Sequence, residues 1–427
     1  MANTNVLRNP SSAGSSEVGT LSVWTKRAKV TNGHQNIITF DQSGTYFEVY
    51  YKATDEIQVY ATSHTNADLT TKRKFRDTNA WYHVVLAIDS TQSTASNRLK
   101  LYINGEQITD FFTATYPGQG NNMYINRGSG TINVGSLGSS NYYTGSMSHF
   151  HWIDGTAYDA SAFGETDATT GEWKIKANVS VTYGTNGFFI LKDGNSVTDQ
   201  SGNSNNFTVA SGTLTKTLDC PSNVFATLNP LLYESRDNTF SNGNNTVTNA
   251  GSNDWSNHYG SSTLAMSSGK WYVESKVVTR VGSQAPLGII STTEVINSSL
   301  QDDGRGAVIS SGEIAVYGSV VQSGLTTIAS GDIIGAAFDA TNGTLQFYRN
   351  GSTYGSQLTS IPSGEYYFTC NSYDGGQIAF NFGNGYFSTT AVATNSGNGY
   401  AGAEGSSIFN YQPPTGYKAL STKGLNL

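Results

Sequence analysis

Residues 99–107 read LKLYINGEQ, and residues 345–352 read LQFYRNGS. Leu99, Leu101 and Ile103 alternate with other side chains in the first phrase, and Leu345 and Phe347 in the second. A period of two is the pattern of a half-buried strand. Both phrases run straight into Asn-Gly, the dipeptide that meets the two positive-φ positions of a type I′ hairpin turn. Upstream lie WYHVVLAID (Trp81 to Asp89) and GDIIGAAFDA (Gly331 to Ala340), each an apolar strand that reaches an aspartate and then a polar turn. The chain therefore carries one supersecondary unit twice, without close identity. This predicts two β-sandwich domains of related design, each with such a hairpin near its centre.

Composition agrees. A length of 427 residues accommodates two or three domains. The chain has 47 Gly and 25 Tyr against 8 Pro and 4 Met, and only 13% of its residues are charged. That is about half the usual share, so hydroxyls and amides must cover the surface. No stretch of a dozen residues has helical periodicity; Asp159 to Glu165 is long enough for a turn or two at most. The net charge of −7 argues against a nucleic-acid partner. Two basic clusters, Lys26-Arg27-Ala28-Lys29 and Lys72-Arg73-Lys74-Phe75-Arg76, read as solvated strand ends or loops. Cys220 and Cys370 make no disulfide framework and read as unpaired thiols. MANTNVLRNPSSAGSS at the start lacks the apolar core of a secretory signal, and no apolar run approaches the ~18 residues of a membrane span. The expectation is a protein made and folded in a reducing cytosol, without membrane insertion.

Working outward, LSVWTKRAKV (Leu21 to Val30), NIITFD (Asn36 to Asp41), YFEVYY (Tyr46 to Tyr51) and EIQVYAT (Glu56 to Thr62) alternate between turn residues, as a sandwich or jelly roll requires. The run RDTNAWYHVVLAIDSTQSTASNRLKLYINGEQI, Arg76 to Ile108, resembles the laminin-G-like, concanavalin-A-like lectin modules of bacteriophage structural proteins. So does YTGSMSHFHWIDGTAYDASAFGE, Tyr143 to Glu165. Strand FFIL and the segment DQSGNSNNFT follow, and read as returning to complete this first sandwich. DCPSNVFATLNPLL, Asp219 to Leu232, reads as the boundary, with Pro221 and Pro230 as breakers. Beyond it, SGKWYVESKV (Ser268 to Val277), PLGII, GDIIGAAFDATNGTLQFYRNGSTYG, EYYFTC and QIAFNFG resemble a SPRY module. FNYQPPTGYKALST, Phe409 to Thr422, is similar to the end of the SPRY modules in phage proteins. The expected fold is all-β: two antiparallel β-sandwich (jelly-roll, concanavalin-A-like) domains in tandem, over 1–215 and 216–427.

Chemistry is sparse. Glycoside hydrolysis needs two carboxylates across a cleft. The Glu-x-Asp-x-x-Glu triplet of lectin-like glucanases is missing, Glu48 and Glu56 stand isolated, and Glu274 occupies a position that SPRY modules use structurally. His149 and His151 would share a strand face and offer two metal ligands, with no third nearby. No G-x-S-x-G nucleophile elbow or P-loop occurs. The laminin-G-like resemblance implies a calcium rim, for which Asp193, Asn195 and Asp199 carry suitable oxygens, although Asx turns use the same residues with no ion. No other cofactor is expected. Tyr116, Tyr142, Tyr143, Trp255, Tyr259, Tyr317, Tyr354 and Tyr373 lie in polar surroundings, where aromatics serve recognition surfaces. The SPRY resemblance implies partner binding through loops, here Asn297 to Ser319. Arg305 and Tyr317 are the candidate contacts there, with Arg305 turned outward between two glycines and Asp302 and Asp303 neutralising it or accepting from a sugar.

The expected function is that of a non-enzymatic phage virion protein of the tail fibre, tail appendage or capsid surface. It would recognise a host surface glycan or receptor and touch other virion proteins, with homo-oligomerisation open. The rivals are a structural decoration protein that binds only virion partners, and a polysaccharide depolymerase.

Overall fold

The computed structural model describes residues 3–31, 33–62, 67–192, 196–231, 238–251, 259–294, 300–392 and 399–426. The chain divides into two compact units, Met1–Lys216 and Thr217–Leu427. Each is an antiparallel sandwich, and the fold is all-β as expected.

In the first unit the larger sheet runs Phe111–Thr115, Ala67–Lys74, Glu56–Ala61, Thr45–Tyr51, Gln35–Gln42, Thr131–Val134, Asn5–Arg8 and Thr208–Ser211. Its two faces are legible in adjacent rows of the ladder. Val6, Val134, Ile38, Val49, Val59 and Leu69 pair in succession and face the core. One residue along, Asn133, Thr39, Glu48, Tyr60 and Asp68 pair in succession on the other side. A slip of one residue would exchange the rows, so burial of the apolar row sets the register.

The smaller sheet runs Phe188–Ile190, Gly145–Asp154, Val18–Arg27, Tyr82–Asp89, Leu99–Ile103 and Glu106–Gln107. Its inner face supplies Leu21, Val23, Val84, Leu86, Ile88, Leu101 and Trp152 to the same core. Its outer face is apolar too: Val85 and Ile153 pack with Phe163, Tyr158, Trp173, Val179, Val181 and Tyr183 from the segment that follows the sandwich. Phe188–Ile190 pairs with Gly145–Asp154, and Thr208–Ser211 with Asn5–Arg8, so the returning segment adds a strand to each sheet.

The second unit repeats the plan. Asn238–Ser241, Thr246–Asn249, Gln377–Asn381, Lys270–Thr279, Ile333–Asp339, Thr344–Arg349 and Ser352–Leu358 form one sheet. Tyr259–Ser261, Tyr366–Asn371, Ala285–Ser291, Gly306–Ile309, Glu313–Val316 and Ser319–Gln322 form the other. The outer face of the first of these sheets, at Tyr272, Ala337, Ile333 and Ala379, is covered by Phe225 and by Phe387, Phe409, Tyr411 and Tyr417.

The two hairpins share more than sequence. Asn104 and Gly105 have φ of 49° and 84°, and Asn350 and Gly351 have 50° and 81°. Asn104 exchanges bonds with His83: its N–H donates to the His83 carbonyl at 2.9 Å and its Oδ1 accepts the His83 N–H at 2.8 Å. Asn350 does the same with Ile333, at 2.8 and 2.9 Å. A Cβ on Gly105 would lie 2.6 Å from the Trp173 ring, and one on Gly351 2.6 Å from the Tyr411 ring. Each glycine is thus required by its φ and by an aromatic ring of the covering segment.

One basic cluster departs from expectation. Lys26 and Arg27 are buried rather than solvated. Arg27 donates to Asp55 at 3.0 Å and to the Phe75 carbonyl at 2.7 Å, and its guanidinium lies 4.6 Å from the Tyr51 ring centroid. Burial works to raise the Asp55 carboxyl, but the Thr31 N–H, Arg76 and Arg27 outweigh it and hold it below its ordinary value. Alternation alone does not reveal a buried cation whose partner sits two strands away in the chain. The second cluster is the solvated end of Ala67–Lys74, where Lys72 and Lys74 pair with Asp110 and Glu56.

Two predictions follow from the covering segments. A chain ending at Gly164 should unfold well below one ending near Thr215, read as the thermal midpoint of the isolated first unit. Gly105→Val and Gly351→Val should each cost several kcal/mol, combining about 1–3 kcal/mol of positive-φ strain with about 1–3 kcal/mol of overpacking. Calorimetry should show one transition lowered per variant; equal loss in both would contradict separate cores.

Candidate functional site

Tyr317 is the exposed tyrosine among the described large apolar side chains, at 40% exposure. It follows the strand Glu313–Val316 in a left-handed conformation, φ 49°. Its N–H donates to the Gly304 carbonyl at 3.0 Å, and the next N–H, of Gly318, donates to Gln301 at 2.9 Å. The Tyr317 hydroxyl donates to Glu294 Oε1 at 2.9 Å. Arg305 donates to the same oxygen at 2.9 Å, and its guanidinium carbon lies 3.6 Å from the ring centroid. So short a distance to the centroid places the cation over one face of the ring.

Arg305 is therefore not turned outward, and its partner is Glu294 rather than Asp302 or Asp303. The glycines beside it serve close approach, since neither has positive φ. A Cβ on Gly304 would strike the Leu300 carbonyl at 2.4 Å, and one on Gly306 the Leu345 side chain at 2.7 Å. Asp302 and Asp303 lie on the short helix Leu300–Asp303, with Asp302 exposed. Glu294 was not singled out from the sequence, because nothing in the neighbouring residues marks it as the third member of this set.

The other aromatics divide. Tyr259 and Tyr354 are buried strand residues, not contacts, and Tyr354 donates to the Thr326 carbonyl at 2.8 Å. Tyr116, Tyr142, Tyr143 and Tyr373 are half-buried. Trp255 lies outside the described residues, as do Asp193 and Asn195 of the calcium set. Asp199 Oδ1 accepts the Phe189 N–H at 2.8 Å and the Ser201 N–H at 2.9 Å, and Oδ2 accepts the Asn205 N–H at 2.8 Å. Those donors make it the anchor of an Asx-type turn. No group of three metal-ligating side chains occurs among the described residues. His149 and His151 do not share a face: the ladder shifts register between Ser148 and His151, and His149 has φ 49°. His151 stacks on Phe189 at 3.8 Å and bonds Tyr183 through Nδ1.

Glu48 is less isolated than the sequence implies. Across the outer row of the large sheet it opposes Tyr60, which opposes Asp68. Two strand spacings separate the acid backbones by about 10 Å. Asn36 Nδ2 donates to Glu48 at 2.6 Å; Gln58 and Thr70 donate to Asp68 at 2.8 and 3.0 Å. Burial raises the Glu48 carboxyl, opposed by the Asn36 bond. Only strand pairing brings these residues together.

Two further carboxylates fasten the covering segments. Asp154 accepts the Ser15 N–H at 2.8 Å, Asn126 Nδ2 at 2.9 Å and the Asn186 N–H at 2.9 Å. Glu274 accepts the N–H groups of Asn410 and Tyr411, both at 2.8 Å, and Asn381 Nδ2 at 3.2 Å. Burial pushes the Glu274 carboxyl up to about 7 against these donors. In the first unit His83 lies between Trp24 and Trp173, accepts from Trp173 at Nδ1 and so presents Nε2–H to Ser22. Burial, then His149, pushes it down to about 3. His151 is lowered by the same two causes.

Residues 2–161 match the family model described as the concanavalin A-like lectin/glucanases superfamily. Solved structures similar to the chain include the SPRY domain of human HERC1, at 17% identity and TM-score 0.29, covering 35% of this chain and 96% of that one. Another is the TRIM65 PSpry domain, at 12% identity and TM-score 0.30, covering 36% and 88%. No curated protein matches the chain.

The buried titrating groups predict opposite pH behaviour in the two units. A depressed histidine means the unfolded state binds the extra proton, so stability falls as pH drops below 6.5 toward about 3. A raised carboxyl means the folded state binds it, so stability falls as pH rises from 4.5 to about 7. Acidifying from pH 7 to 5 should lower the first unit's melting transition and raise the second's. Glu274→Gln should flatten the second response.

Proposed function

We propose that this chain is a non-enzymatic recognition protein of a bacteriophage virion, carried on a tail fibre, tail appendage or capsid surface, and that it attaches to a host glycan or receptor. The observation that carries the reading is the immobilised, exposed Tyr317 ring, held by Arg305 and Glu294. Left-handed backbone at a residue other than glycine costs energy and gathers at functional contacts. A ring already ordered in the free protein loses little entropy on binding, which favours a flat apolar ligand face. The lectin-like match over residues 2–161 agrees with a binding role, and the phage-module resemblances of both halves support the virion setting.

One observation favours the decoration-protein rival. Val320 and Val321, at 44% and 49% exposure, lie on the edge strand Ser319–Gln322 beside Tyr317, a surface suited to another virion protein.

The test replaces Tyr317 and Arg305 together by Ala in assembled phage. Adsorption to the host should fall while the protein stays on the particle. Unchanged adsorption would move the case to the rival.

A further inference from the structure

The first unit carries a second arginine–tyrosine pair, and there the cation is not neutralised. Tyr124 is left-handed with φ 59°, as Tyr317 is with φ 49°, and the Arg127 guanidinium carbon lies 4.1 Å from its ring centroid. The neighbouring residues fix the pair in place. Met123 and Ile125 are fully buried in the core, and the Tyr124 N–H donates to Asn122 Oδ1 at 2.8 Å. Asn126 accepts the Trp152 indole N–H at 2.7 Å and donates to the Ser15 carbonyl and to Asp154, both at 2.9 Å. Residues other than glycine that are held left-handed in this way gather at ligand contacts.

Unlike Arg305, Arg127 makes no ion pair among the described residues. Its Nη1 donates to the neutral Gln42 side chain at 2.5 Å, whereas its Nε is buried with no partner. A buried donor left unpaired costs free energy unless something outside the chain accepts from it. Arg127 borders a hollow together with Tyr124, Phe40, Gln42, Thr131 and Ile132. Its free space is about 190 Å³ with the open mouth included, below the ~300 Å³ of pockets that enclose a small molecule. It therefore takes one group of a ligand and not the whole. Asp41 borders it too, but alternation with the core residue Phe40 sends the Asp41 side chain to the other face of the sheet. There its Oδ1 accepts the Gly44 N–H at 3.1 Å. With Nη1 committed, the Nε–Nη2 edge of the guanidinium remains, and that edge matches the two oxygens of a carboxylate.

We propose that the Nε–Nη2 edge of Arg127 binds the carboxylate of an acidic sugar, uronic or sialic, whose ring stays outside the hollow beside Tyr124. The choice of a sugar rests on the proposed reading of the chain as a glycan-binding protein; the anion site stands on Arg127 itself. This contact lies on the unit that does not contain Tyr317.

The test titrates glucuronic acid and N-acetylneuraminic acid into the full chain by calorimetry. Glucose serves as the neutral match and sulfate as an anion without a planar edge. At low salt an acidic sugar should bind about tenfold more tightly than glucose or sulfate, and added salt should weaken it. Arg127→Lys keeps the charge and loses the planar edge, so it should weaken acidic-sugar binding about tenfold. Arg127→Gln should remove the preference over glucose. The thermal midpoint of the first unit shows whether each variant is folded, and either folded variant alone decides the question. Sulfate binding as tight as that of the sugars, and lost in the variants, would mean an adventitious ion only and overturn the sugar assignment. Acidic-sugar binding unchanged in the variants, or none in the parent chain, would overturn the site. Neither result bears on adsorption through Tyr317, which the Tyr317 and Arg305 substitutions in assembled phage decide separately.

Discussion

The constraint on which both units depend is that the sheet bearing the Asn-Gly hairpin is apolar on both faces. Val84, Leu86 and Ile88 face the core from Tyr82–Asp89, while Val85 faces the other way into a second apolar cluster. Ile334, Ala336 and Phe338 face the core from Ile333–Asp339, while Ile333 and Ala337 face outward. A sandwich covers only one face of each sheet, and an exposed apolar face of this size would promote association. In each unit the segment after the sandwich folds back across it. Trp173 and Tyr411 then occupy the space that the two hairpin glycines leave open.

The covers are fastened by charge as well as by area. Asp154 and Glu274 each stand on the covered sheet and accept backbone N–H groups from the segment that crosses it. Hydrogen bonds to a buried carboxylate contribute more than neutral ones, about 1.5–3 kcal/mol each. They also fix where a loop with no regular ladder of its own must lie. The second unit meets the desolvation cost of Glu274 with backbone and amide donors; the first unit buries Arg27 and Asp55 against each other. Removing Asp55 would leave the Arg27 guanidinium an uncompensated buried charge, whereas Asp55 without Arg27 would keep Arg76 and the Thr31 N–H.

The same logic of commitment describes the proposed recognition surface. Arg305 could have been a free cation for an acidic partner, but Glu294 and the Tyr317 ring take up its charge and its face. What faces outward is the tyrosine ring, its conformation set by backbone bonds to Gly304 and Gln301. The chemistry offered is that of a flat apolar plate with acceptors at its margin.

The all-β class, the strands around the two hairpins and the turn geometry of Asn104-Gly105 and Asn350-Gly351 are local properties. Alternation and the steric freedom of Asn-Gly specify them within a few residues, and the sequence by itself determined them. The continuous apolar runs VVLAI and IIGAAF read as apolar strands; that both of their faces are covered comes from the tertiary structure. Long-range pairing decided the rest. Arg27 is buried because Asp55 reaches it from the turn between two other strands; His149 and His151 part because the ladder slips between them; Glu48 gains Asp68 across Tyr60; Arg305 finds Glu294 instead of Asp302. Side-chain charge and hydrogen bonding act over a few ångströms in space, and only the tertiary structure decides which residues come within that distance.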